Sequence, residues 1–238
     1  MSNEFLYFDA LACRYHFNQI LRYCSWVEER LVPSFGEWEH EAEKYYNQRM
    51  NSTGYFPSLD PGTVSEEAFE FVLELAEINS YMLGMAIVGL YHLWERTVIR
   101  FLRREICHFM LKPEPSFRNY DRIRKIFLQY STDIENLPCS SNLWELRKVA
   151  NSIKHATGNS YDALKKSHSD ILKPSSDTSY SHLPIQGGEY TLLGVDIHPT
   201  PIHFQRYKQA VLDFWNYEYW QAAGERRYPH RDNDELTF

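Results

Sequence analysis

The chain has 238 residues, 43% apolar and 24% charged, the balance of a folded protein with one large or two small domains, and its 10 glycines are too few for the turn-rich chain of a sandwich or barrel. A formal net charge of −7 argues against the chain as a whole being a phosphate binder. That mean hides an asymmetry: residues 96 to 166 hold 14 Lys and Arg against 7 Asp and Glu, so an acidic chain has a basic middle.

Phe5, Phe8, Leu11, Tyr15, Ile20, Val27 and Leu31 recur mostly at three- and four-residue intervals and predict an amphipathic helix over residues 4 to 31, ending near Pro33. Ser34 and Glu37 form a capping-box pattern for a second helix, and "NSTGYFPSLDPGT" (51 to 63) concentrates turn formers and reads as a loop. Ser65 can cap a long third helix that runs to about Met110, where "KPEP" stops it, with a bend expected near "INSYMLG". On a wheel of about 100° per residue, Ile87, Leu90, Tyr91, Trp94, Val98, Phe101 and Leu102 share one arc; Arg96, Arg100 and Arg103 lie opposite, and Glu95 at the margin.

Residues 116 to 130 predict a helix capped by Ser116 and basic on one side. A fifth helix carries "LRKVANSIKHATGNS" (146 to 160), and Asn159 or Ser160 can cap a short one after it. Residues 173 to 188 read as a loop, "EYTLLGVDI" (189 to 197) can pair as a small hairpin, and Pro201 opens a last helix through "IHFQRYKQAVLDFWNYEYWQAA". The aromatic run "FWNYEYW" (214 to 220) has no interleaved basic residues, so it is expected to pack on the core or a partner instead of stacking on bases. From Glu225 onward the charged tail is expected to fray. The whole reads as an all-α fold in three consecutive segments, N-terminal helices over 1 to 62, a helical core over 63 to 172, and a loop with a C-terminal helix over 173 to 238.

The chemistry concentrates in the fifth helix. Leu143, Leu146, Val149, Ala150 and Ile153 form its apolar face, whereas Arg147, Asn151 and His155 fall within about 80° of one another and point about 150° away from that face. Lys148 and Lys154 flank this stripe. An imidazole that exchanges a proton near neutral pH, an amide that orients a phosphate or hydroxyl, and a guanidinium that suits phosphate oxygens are the parts of metal-independent RNA cleavage. One helix supplies half of such a site, and a two-fold dimer would supply the acid as well as the base. Solvated side chains on an ordinary polar face are the competing reading.

"RKVANSIKH" (147 to 155) resembles the motif helix of HEPN domains, all-helical modules of bacterial toxin–antitoxin and antiviral systems, and "LYHLWERTVIRFLRREI" (90 to 106) resembles the helix that packs beside it. With "ATGNSYDAL" the resemblance covers residues 65 to 166. It implies a HEPN-like bundle and a homodimer that cleaves RNA without a cofactor, with an antitoxin or a defence-complex protein as a further partner. Asn151 and His155 take the places of the family's polar residue and histidine, but Ala150 stands where its arginine belongs, and seven residues lie between Arg147 and His155. A member that lost its arginine could instead be a non-catalytic module that binds protein or RNA.

The remaining signals are weaker. Glu95 is expected to form an ion pair between helices, with Arg147 as a candidate partner, and His92 a structural pair with Glu95. Cys13, Cys24, Cys107 and Cys139 show no ligand spacing and are expected to stay reduced; no metal site is expected, and neither a phosphate-binding glycine loop nor a GxSxG elbow occurs. The N-terminus lacks a basic start, and no run of about 18 apolar residues stands out, so a cytoplasmic protein without membrane contact is expected.

Overall fold

Helix caps set the element boundaries. The computed structural model describes residues 6–35, 38–51, 60–107, 120–130, 132–172 and 196–225, and among these every regular element is helical. The eight α-helices are α1 (Ala10–Trp26), α2 (Trp38–Asn51), α3 (Pro61–Cys107), α4 (Tyr120–Gln129), α5 (Ser140–His155), α6 (Asn159–Lys166), α7 (Pro201–Phe214) and α8 (Tyr217–Glu225). The all-α reading is therefore correct. The hairpin expected at 189 to 197 lies outside the described residues except for its last two positions.

Several ends differ from the sequence-based reading for identifiable reasons. Asp9 caps α1, its carboxylate accepting from the Ala12 N–H at 2.6 Å, and the helix continues through a π-helical turn, Val27–Leu31, into a 3₁₀ turn, Val32–Phe35. In that last turn the Ser34 hydroxyl donates to the Leu31 carbonyl at 2.6 Å, and Glu37, its expected capping partner, lies outside the described residues. α3 starts four residues before Ser65 because Asp60 accepts from the Thr63 N–H at 3.3 Å and Pro61 occupies the first helical position, where its missing N–H costs nothing. The expected single C-terminal helix is two: Asn216 accepts from the Glu218 N–H at 3.1 Å and caps α8, while the Trp220 indole donates to the Phe214 carbonyl that the break leaves open, at 2.6 Å.

The chain divides into two compact units that interleave along the sequence: one comprises Met1–Tyr23, His92–Trp144 and Tyr207–Phe238, the other Cys24–Tyr91 and Glu145–Arg206. The first is built on rings. Phe8 stacks on Trp220 at 3.7 Å and on Phe101 at 4.3 Å; Trp215 meets Phe101 edge-on at 5.7 Å, and Phe214 meets Trp94 edge-on at 5.5 Å. Phe214, Trp215 and Trp220 are buried, so most of the run "FWNYEYW" is core. Also inside is His16, 4% exposed, its ring 4.4 Å from that of Trp215 and its Nδ1 without a hydrogen-bond partner. Cys13, Cys24 and Cys139 are buried and outside any disulfide, and burial pushes the thiols of Cys13 and Cys139 up to about 12, which removes them as nucleophiles.

In the second unit, Arg49 on α2 grips Glu67 on α3 with two hydrogen bonds of 2.9 and 3.2 Å, and Tyr45 stacks on Phe71 at 4.7 Å. α6 ends in a Schellman pair, the Ser169 N–H to the Leu164 carbonyl at 3.2 Å and the His168 N–H to Lys165 at 3.1 Å, with His168 left-handed at φ 54°. That turn delivers the Ser169 hydroxyl to the Glu145 carboxylate on α5. Glu145 also meets Arg206 of α7 at 3.3 Å, and Arg206 makes a two-pronged contact with Asp170 at 2.8 and 2.9 Å, holding its carboxyl down to about 2. His203 closes the network, its Nε2 3.4 Å from Asp170 and its Nδ1 accepting from the Thr200 N–H at 3.1 Å; burial lowers its pKa, and an imidazolium would turn an Nδ1–H against that donor.

The first half of α3 leaves Phe69, Ile78, Tyr81, Met82 and Met85 exposed. The helix contains an 18-residue window of mean hydropathy 1.4, of which 28% is buried, so by length and composition α3 could cross a membrane. The expectation concerned unbroken apolar runs, whereas this average tolerates isolated polar residues.

Two stability measurements follow. Phe101→Ala opens a cavity among stacked rings and is expected to lower unfolding free energy by about 3–5 kcal/mol in urea melts. For pH, burial lowers His16 from 6.5 to about 4, with Arg100 and Arg104 adding to the shift and Gln19 and Asp9 opposing it. An unfolded chain thus takes up a proton near pH 6.5 that the folded chain refuses until about pH 4, and stability falls as pH drops through this window, by up to about 3 kcal/mol from this group. His16→Gln should flatten the urea midpoint between pH 7 and 4.5 relative to the parent; an unchanged slope would contradict the assignment.

Candidate functional site

The orientation of α5 follows from its buried seam. Leu146, Val149 and Ala150 are fully buried, and so is Ser152, whose hydroxyl donates to the Lys148 carbonyl one turn back at 2.9 Å. Burying this face turns Arg147, Lys148 and Asn151 to a half-exposed position and leaves Lys154 and His155 exposed. The polar stripe therefore does face away from the helix's own core.

α5 ends at His155 because Ala156 adopts the left-handed conformation, φ 59°, an unusual one for a residue with a Cβ. The chain then turns back through Thr157 and Gly158 into the first turn of α6. Between the last turn of α5 and this return lies an open cleft of about 280 Å³, lined by Asn151, His155, Ala156, Thr157, Gly158, Asn159 and Ser160. The cleft joins an imidazole and an amide on one helix to the amino-terminal end of another, where backbone N–H groups lack helical acceptors and the helix dipole favours an anion. Its volume is at the lower bound of ordinary ligand clefts.

Of the predicted residues, the structure brings Asn151 and His155 together in this cleft. Arg147, Lys148 and Lys154 are not part of its lining, and the Lys154 ammonium lies over the Tyr91 ring, 5.9 Å from its centroid. Arg147 stands two helical turns, about 12 Å of axis, before His155. Glu95 belongs to the other compact unit, where its carboxylate is 3.6 Å from His92 Nδ1, an ion-pair separation. Among the described residues no group of three or more His, Cys, Asp and Glu could hold a metal ion.

Sequence reasoning missed two features. The return segment Ala156–Ser160 closes the cleft, and its left-handed Ala156 carries no sequence signal, since glycine or asparagine would mark such a position. The network of Glu145, Ser169, Asp170, His203 and Arg206 joins residues up to 61 positions apart, beyond any spacing rule. It pins the start of α7 and the turn after α6 to the helix that carries the stripe.

Position 150, where the resemblance alone would place an arginine, can be tested directly. Ala150 has no exposed surface, so Ala150→Arg forces a guanidinium into the apolar seam. We expect a loss of at least about 3 kcal/mol in urea unfolding or failure to fold, whereas Ala156→Gly should stabilise by about 1 kcal/mol by relieving the left-handed strain.

No family model, no curated protein and no solved structure matches this chain.

Proposed function

We propose that the chain is a metal-independent endoribonuclease of HEPN type, acting as a homodimer in the cytoplasm within a bacterial toxin or antiviral defence system. The observation that carries this reading is that His155 and Asn151 line one cleft, at the open amino-terminal end of α6. In this reading His155 takes the proton of a ribose 2′-hydroxyl, whose oxygen attacks the adjacent phosphorus; a 2′,3′-cyclic phosphate forms and the 5′-oxygen departs. His155 of a second copy donates the proton that the departing oxygen requires, since one imidazole cannot be base and acid in the same step. Asn151 orients the phosphate, Arg147 offsets charge from farther up the helix, and Lys148 and Lys154 strengthen the local positive field.

One observation favours the second reading, a non-catalytic HEPN-like module that binds protein or RNA. Ala150 is fully buried, so the position that resembles the family's arginine faces the seam and not the cleft. A chain that keeps the scaffold but loses the charge beside His155 would still offer a docking cleft.

The two readings part in one assay. Purified protein incubated with total RNA in excess chelator is expected to cleave it, and His155→Ala to reduce the rate at least about 100-fold, the usual worth of a general acid or base. Absence of cleavage, or cleavage that survives the substitution, assigns the non-catalytic reading. Mass measurement in solution tests the dimer on which the acid step relies, with a particle of two chains expected.

A further inference from the structure

Two exposed helix faces of this chain complement each other in charge. On α1, Leu11, Arg14, Tyr15 and Arg22 are exposed within an arc of about 100°, and residues 10 to 27 contain no Asp or Glu. Leu11 is 79% exposed and Tyr15 52%, so two large apolar side chains stand in water beside two guanidinium groups. The exposed face of the first half of α3 has the opposite sign. Glu66, Glu70, Glu74 and Glu77 are exposed on it, followed by the apolar side chains of Ile78, Tyr81, Met82 and Met85. From Met50 to Glu95 the chain carries 7 Asp and Glu and not one Lys or Arg. Among the described residues no opposite charge pairs with Arg14, Arg22, Glu66, Glu70, Glu74 or Glu77.

We infer that these two faces bind each other between copies of this chain, α1 of one copy on α3 of the next. Spacing sets the register. With the helices antiparallel and Leu11 level with Tyr81, a rise of about 1.5 Å per residue brings Tyr15 beside Ile78, Arg14 beside Glu77 and Arg22 level with Glu70. The two arginines are about 12 Å apart along their axis and the two glutamates about 10 Å, so both ion pairs form at once. Leu11, Tyr15, Ile78 and Tyr81 supply the apolar contact, and the charges select the partner face. Two copies of the α3 face cannot pair symmetrically, because acids would meet acids, and the same glutamates oppose burial of this helix in a bilayer. Unlike faces make the contact heterologous, so each copy offers one face and receives on the other. The inference is independent of the ribonuclease reading, since none of these residues lines the His155 cleft. A basic helix of another protein would meet the α3 face with the same charge and is the alternative that the test separates.

Sedimentation velocity on the full chain, over a range of protein and salt concentrations, reads the association constant. The parent is expected to self-associate, more weakly as salt rises. Arg14→Glu/Arg22→Glu and Glu70→Arg/Glu77→Arg are each expected to weaken association at least about tenfold by setting like charges together. An equimolar mixture of the two variants should recover it, because the acidic α1 of one then meets the basic α3 of the other. Lys166→Glu, exposed and on neither helix, should match the parent. A parent that stays a single chain at every concentration overturns the contact, as do reversals that leave association unchanged or that weaken it without recovery in the mixture. A single-chain parent that instead binds a synthetic basic amphipathic helix, and loses it in Glu70→Arg/Glu77→Arg, assigns the α3 face to another protein. RNA cleavage is read on the same variants: association through these faces without any cleavage upholds the contact and sinks the nuclease reading, and His155-dependent cleavage with association unaffected by the reversals does the reverse.

Discussion

The buried seam of α5 is the constraint from which the candidate site follows. With Leu146, Val149, Ala150 and Ser152 packed out of solvent, the helix has no freedom to rotate about its axis, and Asn151 and His155 can only face outward. Rotating the helix by a third of a turn would bury a charged or amide group and expose three apolar ones, each a cost of a kcal/mol or more. The same seam sets the problem of the arginine. A residue one position before Asn151 is carried about 100° round the helix, into the core, so an arginine at that position would not stand beside His155.

The two units are held by different kinds of order. In one unit, stacked rings around Phe8, Phe101, Trp215 and Trp220 supply large apolar area with specific edge and face geometry. In the other, charge does more of the positioning: Glu145 of α5 receives the Ser169 hydroxyl and lies against Arg206, which in turn clasps Asp170. Such a network contributes less net stability than packing of equal size, because its charges must be partly desolvated. What it contributes is geometry, since α5, the turn after α6 and the start of α7 can meet in one arrangement only.

Much of the architecture was legible in the sequence because helices announce themselves through local periodicity. The α5 stripe, the arc of Ile87, Leu90, Tyr91, Trp94 and Val98 on α3, and the buried fate of Phe214, Trp215 and Trp220 are all readable from spacing and neighbours within a few residues. Boundaries were less so. Asp60 with Pro61 outcompetes Ser65 as a start signal because proline adds a preset dihedral to the capping carboxylate, and Asn216 breaks a continuous apolar pattern into α7 and α8 by capping the second helix.

The sequence by itself determined the all-helical character and the buried faces of α5 and of the second half of α3, because a period near 3.6 residues fixes angles about a helix's own axis; on α1 it misplaced Leu11 and Tyr15, which are exposed. It could not determine what stands opposite those side chains. That Asn151 and His155 share a cleft while Arg147 does not, that Lys154 lies over Tyr91, and that His203 meets Asp170 were decided by the folding of distant segments onto one another. Angles about an axis are local properties of a chain; distances between axes are set by the packing of all the elements together.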